Sequence, residues 1–275
     1  MSSICRVIGG LIIDIRERVV VVTGAGLGLG AALARTISAK APGGLVIADI
    51  DEEAAHLTAA KYDSYGIAAD MGSESGVRAV VDAAVDRFGR VDMWIANAGT
   101  GITCDPFTDD ATFSLMWNLH AMSQVWAARA LLPGWLKRGS GHFVAVVSSN
   151  ALTTNPVSMG YAMTKHAQLA AVEWLAMTYG AAGVTTTAFC PKGMRTPLLE
   201  QHAQTNAYAR AALADAITPE QAASILVAAI EEGRSIAHTH PAVLDDARLR
   251  LDDHAAYLRT LEQLHALVPE IGVPR

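Results

Sequence analysis

Short apolar runs alternate with longer amphipathic stretches over residues 19–239. The first run, Val19-Val-Val-Val, is β-branched on both faces, which suits a strand buried at the centre of a parallel sheet. It enters a glycine cluster, after which Ala31-Ala-Leu-Ala-Arg-Thr-Ile reads as a helix. Leu45-Val-Ile-Ala-Asp49-Ile, Asp92-Met-Trp-Ile-Ala, Gly141-His-Phe-Val-Ala-Val-Val, Val184-Thr-Thr-Thr-Ala-Phe and Ser235-Ile-Ala-His-Thr read as further strands. Seven candidate strands alternating with helices predict an α/β fold: a doubly wound parallel sheet with helices on both faces. No linker or low-complexity segment interrupts the pattern, so residues 1–275 read as one domain.

The turn after the first strand is Thr23-Gly24-Ala-Gly26-Leu-Gly28-Leu-Gly30. Glycines let a ligand approach the backbone closely, and the helix that follows presents free N–H groups and a positive dipole end. The pair suits a dinucleotide pyrophosphate. Asp49, at the end of the second strand, can accept hydrogen bonds from the adenosine ribose hydroxyls and would repel a 2′-phosphate. No Lys or Arg lies between Thr23 and Gly30, so NAD is expected rather than NADP. Asp51, Glu52 and Glu53 read as a solvated helix N-terminus.

Tyr161 and Lys165 stand four residues apart in Tyr161-Ala-Met-Thr-Lys165, a spacing that stacks a phenol and an ammonium on one helix face. A phenol titrates near ~10, and a fixed neighbouring cation should lower that value and make tyrosine a proton donor and acceptor near neutral pH.

The glycine spacing Thr23-Gly24-x-x-x-Gly28-x-Gly30 together with Tyr161-x-x-x-Lys165 resembles the single-domain branch of the short-chain dehydrogenase/reductase family, over nearly the whole chain. The resemblance implies a Rossmann fold and a nicotinamide cofactor. It implies cofactor contacts from Gly24, Leu27, Gly28, Leu29, Asp49 and Ile50 at the nucleotide end, and from Asp70 and Met71 near the adenine. Asp70 read without the family is a helix cap, and both roles are compatible. Asn97 and Gly99, in Asn97-Ala-Gly99, are expected to hold the sheet centre and line the cofactor. Pro191, Met194 and Thr196 are expected at the nicotinamide carboxamide. Tyr161 and Lys165 complete the cofactor set.

The family also carries a serine thirteen residues before its tyrosine, and gap-free alignment selects Ser148 over Ser149. Asn118 falls where the family places an asparagine in its long fourth helix, where its side chain would hold a water linking Lys165 to solvent. Asn118, Ser148, Tyr161 and Lys165 are the expected catalytic set, with Ser148, Asn150, Tyr161 and Lys192 facing substrate. Lys192 departs from the family pattern, which has glycine after the proline. It either meets an acidic substrate group or points to solvent. Segment 198–217 reads as an alanine-rich helical lid, with Leu198, Leu199, His202 and Tyr208 available to the substrate. Residues 242–275 read as a helical extension.

With 51% hydrophobic and 17% charged residues, the 275-residue chain can bury one large core, and its low charge hints at subunit contacts. The family commonly forms tetramers, and a homotetramer is expected. A net charge of −6 and a pI near 5.8 argue against nucleic acid or an anionic membrane as partner. Cys5, Cys104 and Cys190 are too scattered for disulfides or zinc, which fits a cytoplasmic protein. His238-x-His240 lacks further ligands, so no metal is expected. The apolar stretch Val7-Ile-Gly-Gly-Leu-Ile-Ile reads as a packed arm rather than a signal or membrane span. The expected activity is NAD-dependent interconversion of a secondary alcohol and a ketone. The alternatives are NADPH-dependent reduction of an activated double bond or imine, and a nucleotide sensor without turnover.

Overall fold

The computed structural model describes residues 13–268 and Ile271. The proposed packed arm and Cys5 lie outside these, apart from Ile13, which is buried. Seven parallel strands form one sheet in the order β3-β2-β1-β4-β5-β6-β7. They are β1 (Val19–Thr23), β2 (Gly44–Asp49), β3 (Tyr65–Ala68), β4 (Met93–Ala96), β5 (Gly141–Val146), β6 (Val184–Cys190) and β7 (Ile236–His238).

Successive residues of β1 serve opposite faces, as period-two geometry requires. Val20 and Val22 pack with Leu33 and Ile37 of α1 (Gly28–Ser38) and Leu226 and Ile230 of α9 (Pro219–Glu231). Val21 faces the other side, with Val77 and Val81 of α3 (Glu74–Phe88), Leu131 and Trp135 of α5 (Ser123–Arg138), and Leu169 and Val172 of α6 (Met159–Tyr179). Helices therefore cover both faces, and the all-apolar valine run follows from burial on both sides.

The strand order reverses between β1 and β4, so the loops leaving these strands diverge and open a crevice at the sheet's C-terminal edge. Asn97 closes its floor. Its Nδ2 donates to the carbonyls of Thr23 and Gly24, both at 2.9 Å, and its own N–H donates to Thr23 Oγ1.

Side chains cap three of the first four helices. Asp51, Ser73 and Asp109 accept from the first-turn N–H groups of α2 (Glu52–Lys61), α3 and α4 (Asp110–Trp117). Ser73, not Asp70, is the α3 cap; Asp70 instead accepts from Gly72 N at 2.8 Å in the turn just before it. Helix α1 alone among these four has no side-chain cap, its N-cap being Leu27.

The helix after β4 is interrupted. Between α4 and α5, Asn118–Met122 form one π-helical turn, an irregularity common at functional sites. Beyond β6 the chain forms α7 (Pro197–Thr205), α8 (Ala207–Ala214), α10 (Ala242–Asp252) and α11 (His254–His265). The segment expected to act as a lid therefore holds two helices, α7 and α8. Asn206 ends α7 and its side chain caps α8, breaking the alanine-rich run.

Candidate active site

One cavity of about 820 Å³ runs from the glycine turn, past Tyr161, to the C-terminal helices. At its nucleotide end the glycines are needed where they stand. Gly24 has φ +60°, and a Cβ there would lie 2.7 Å from Ala98 Cα; a Cβ on Gly30 would meet the Gly24 carbonyl. Leu27, Gly28 and Leu29, at the uncapped start of α1, line this end of the cavity. Asp49 accepts from Gly26 N at 2.8 Å and Asp51 N at 3.1 Å, which fixes its carboxylate beside the turn. Asp70, Met71, Asn97, Gly99 and Ile50 line the same region, and none of the residues lining it there is basic.

At the other end Ser148, two residues beyond β5, and Tyr161, in the first turn of α6, bring their hydroxyls near each other in the cavity lining, and Ser148 Oγ accepts from Asn150 N at 3.1 Å. Ser149 is the wrong serine for this contact; its N–H donates to the Pro191 carbonyl. Lys165 Nζ lies 5.5 Å from the Tyr161 ring centroid and donates to Val146 O at 3.2 Å and Gln168 Oε1 at 2.9 Å.

Burial governs the charges here. It raises the Tyr161 phenol above its ordinary value, against the smaller opposing effect of the neighbouring Ser148 hydroxyl. It pushes the Lys165 ammonium down to about 7. The expected lowering of Tyr161 by Lys165 is thus not the dominant effect within the chain. Enclosure favours the neutral form of both groups, and the lysine hydrogen-bonds to two neutral oxygens rather than to the phenol.

Of the expected site residues, only Asn118 does not line the cavity. It opens the π turn, half-buried, with no side-chain hydrogen bond among the described residues. Two residues of that turn were not anticipated: Leu119 lines the cavity, and the one packed against the Tyr161 ring is His120. Fully buried, it accepts from Thr100 N through Nε2 at 3.1 Å, so Nδ1 carries the proton toward Thr164 Oγ1 at 2.9 Å. Thr164 Oγ1 in turn donates to the Tyr161 carbonyl, and the imidazole meets the Tyr161 ring edge-to-face at 5.7 Å. Burial and the Lys165 charge lower its pKa to about 2, so it stays neutral.

Lys192 neither points to solvent nor stands free for an acidic group. Its Nζ pairs with Asp246 Oδ2 of α10 at 3.1 Å, and its N–H donates to Thr239 Oγ1. A second tie, equally invisible in the sequence, is Arg250. Its Nη1 donates to Leu152 O at 3.0 Å and His166 Nε2 at 2.9 Å, and His265 meets Pro156 O at 2.9 Å. Helices α10 and α11 are thereby held over the loop after β5, and Leu249, Tyr257, Leu261 and Leu264 line the chain's own cavity. From the lid, Leu198, Leu199, His202 and Tyr208 line it too, with Met194 and Ile217 paired at the lid's base.

The short chain dehydrogenase profile matches residues 18–207, spanning the glycine turn, Ser148, Tyr161 and Lys165. The chain belongs to the short-chain dehydrogenase/reductase family. Among its relatives, 1-deoxy-11-beta-hydroxypentalenate dehydrogenase of Streptomyces exfoliatus is 31% identical over 195 residues, 68% of this chain and 70% of that protein. The 4-formylbenzenesulfonate dehydrogenase TsaC1/TsaC2 of Comamonas testosteroni is 31% identical over 194 residues, covering 68% and 76%. A short-chain dehydrogenase/reductase from Burkholderia phymatum, solved in complex with NAD, superposes with TM-score 0.80 at 26% identity, covering 89% of this chain and 96% of its own. Among the described residues of this short-chain dehydrogenase, no helix is long and apolar enough to cross a membrane, and no cluster of His, Cys, Asp and Glu could hold a metal.

Proposed function

We propose that this short-chain dehydrogenase is NAD-dependent and interconverts a secondary alcohol and a ketone. The observation that carries the reading is the hydroxyl pair of Ser148 and Tyr161 at the cavity floor, with Lys165 beside it. The cradle fits a nicotinamide dinucleotide. The open α1 N–H groups would take the pyrophosphate, Asp49 the adenosine ribose, and Met194 and Thr196 the carboxamide. Bound there, the cofactor supplies a hydride acceptor or donor. NAD is favoured over NADP because a 2′-phosphate would meet the Asp49 carboxylate with no cation lining that end.

In the oxidative direction Tyr161 as phenolate takes the hydroxyl proton of the alcohol, and Ser148 donates a hydrogen bond that holds the substrate oxygen. In the reductive direction the same phenol returns the proton. Lys165 supplies positive charge beside the phenol and reaches toward the nicotinamide ribose. Leu198, Leu199, Leu249, Leu261 and Leu264 make the outer cavity largely apolar, which fits a bulky hydrophobic alcohol, and closure of the lid and C-terminal helices would exclude water.

Exposed apolar side chains on α4–α6, including Leu115, Trp117, Val125, Trp174 and Met177, support a homo-oligomer, with a tetramer proposed from the family. The buried free thiols Cys104 and Cys190 suit a reducing cytoplasm.

The decisive experiment is calorimetric titration with NAD and NADP separately, followed by alcohol-dependent reduction of the preferred cofactor across cyclic, aromatic and aliphatic secondary alcohols. NAD should bind more tightly, and Tyr161→Phe should lose at least about 100-fold in kcat with cofactor binding retained. Undiminished activity in Tyr161→Phe removes the proton-transfer role; NAD binding with no turnover by the wild-type protein shifts the reading to a sensor.

A further inference from the structure

Lys165 is enclosed, 4% exposed, and needs acceptors for its ammonium protons. The side chain that supplies one is Gln168, itself fully buried, one helical turn further along α6. Which end of the amide faces the ammonium follows from charge. The oxygen accepts at 2.9 Å, whereas a flipped amide would set NH₂ against NH₃⁺.

Gln168 holds this place at a cost. Its Nε2 is buried with no hydrogen-bond partner among the described residues, and the helix face around it carries Leu169 and Val172 of the apolar core. A hydrocarbon side chain would fill such a position without an unmet donor. The glutamine is therefore explained by what its oxygen does rather than by packing. With Val146 O at 3.2 Å on the end of β5, it holds the ammonium between sheet and helix.

We propose that Gln168 is a positioning residue for the Tyr161–Lys165 pair, its amide oxygen fixing the Lys165 ammonium in place and favouring its charged form. This rests on the dehydrogenase reading for its catalytic consequence, but not for the titration that tests it. The ionisable groups around Lys165 are Tyr161 on α6, His120 in the π turn and Cys190 at the end of β6. His120 is neutral, and the Cys190 thiol, pushed up to about 11 by burial, is neutral as well. Gln168 is thus the side-chain acceptor through which the charged form can be tuned.

The test is the NMR titration of the Lys165 13Cε resonance in the full chain, for wild type, Gln168→Met and Gln168→Glu. Methionine keeps the length and removes the acceptor; glutamate keeps the oxygen and adds charge. The midpoint should fall by about one pH unit or more in Gln168→Met and rise by a similar amount in Gln168→Glu. In alcohol oxidation Gln168→Met should lose about tenfold in kcat with KM nearly unchanged, and Gln168→Glu should recover part of that loss. An unmoved Lys165 midpoint in both folded variants overturns the inference even if the wild type is an active dehydrogenase. Shifted midpoints in a protein that turns over no alcohol leave Gln168 as the Lys165 anchor and overturn the dehydrogenase reading instead. If Gln168→Met does not fold, the direction of the Gln168→Glu shift decides.

Discussion

Lys165 is a residue whose chemistry is set by enclosure, and that has a measurable effect on stability. Its folded pKa, about 7, lies below the ordinary 10.5, so between these values the unfolded chain binds a proton that the folded chain has released. Stability from this group is therefore penalised in full below about pH 7 and recovers as pH rises toward 10.5. Comparing wild type with Lys165→Met by urea unfolding cancels the other titrating groups to first order. Relative to the variant, the wild type should gain roughly 1.4 kcal/mol per pH unit through the middle of that window. A gap between the two proteins that stays flat from pH 7 to 10.5 would refute the burial argument. His120 and Gln168 belong to the same scale. Both are buried polar side chains that touch the Tyr161–Lys165 pair and otherwise resemble helix filler in the sequence.

At the scale of elements, the C-terminal helix pair acts as a wall of the cavity through few polar ties. Arg250 supplies the tie to the loop after β5, and the Lys192–Asp246 pair supplies the tie to the segment after β6. A part-exposed ion pair contributes about 0–1 kcal/mol, whereas hydrogen bonds made by a charged group contribute more, about 1.5–3 kcal/mol. Arg250 is therefore the stronger latch. Arg250→Ala should raise KM for a bulky hydrophobic alcohol about 3- to 10-fold with a smaller change in kcat, and should speed hydrogen exchange in α10 and α11. Exchange unchanged in those helices would mean that apolar packing by Tyr257 and its neighbours holds the pair unaided. The π turn shows a related contrast. An unbroken helix over 110–138 would turn later residues to other faces, whereas the extra residue in the turn accompanies His120 packed beneath Tyr161.

For the whole molecule, the unresolved balance is the apolar surface on α4–α6. Trp174 is 53% exposed and Met177 75%, on a helix whose opposite face is core. Large apolar side chains left exposed on α4–α6 are the kind that subunit contacts cover. Sedimentation should find the wild-type protein assembled, and Trp174→Glu, which places a charge in the proposed contact, should shift it toward smaller species without loss of the monomer fold. A monomeric wild type at micromolar concentration would rule the assembly out.

Much of the architecture was legible because it rests on local regularities. Valine runs must be buried on both faces, glycine spacing marks a turn where backbone is closely approached, and Tyr161 and Lys165 share a face by helical spacing alone. These determined the sheet, the nucleotide end and the identity of the central pair, and all but one of the expected site residues came together in one cavity. The tertiary structure decided the rest: that Asn118 lies off the cavity while His120 packs against the Tyr161 ring, and that Lys192 and Arg250 tie down the C-terminal helices. It also decided the sign of the charge shifts on Tyr161 and Lys165. Spacing states which side chains are neighbours along one element. How deeply they are enclosed, and which partner another element brings to them, depends on contacts between residues far apart in the chain, such as Arg250 and Leu152, 98 residues apart. Burial and long-range pairing are properties of the packed whole, so a reading confined to local pattern does not contain them.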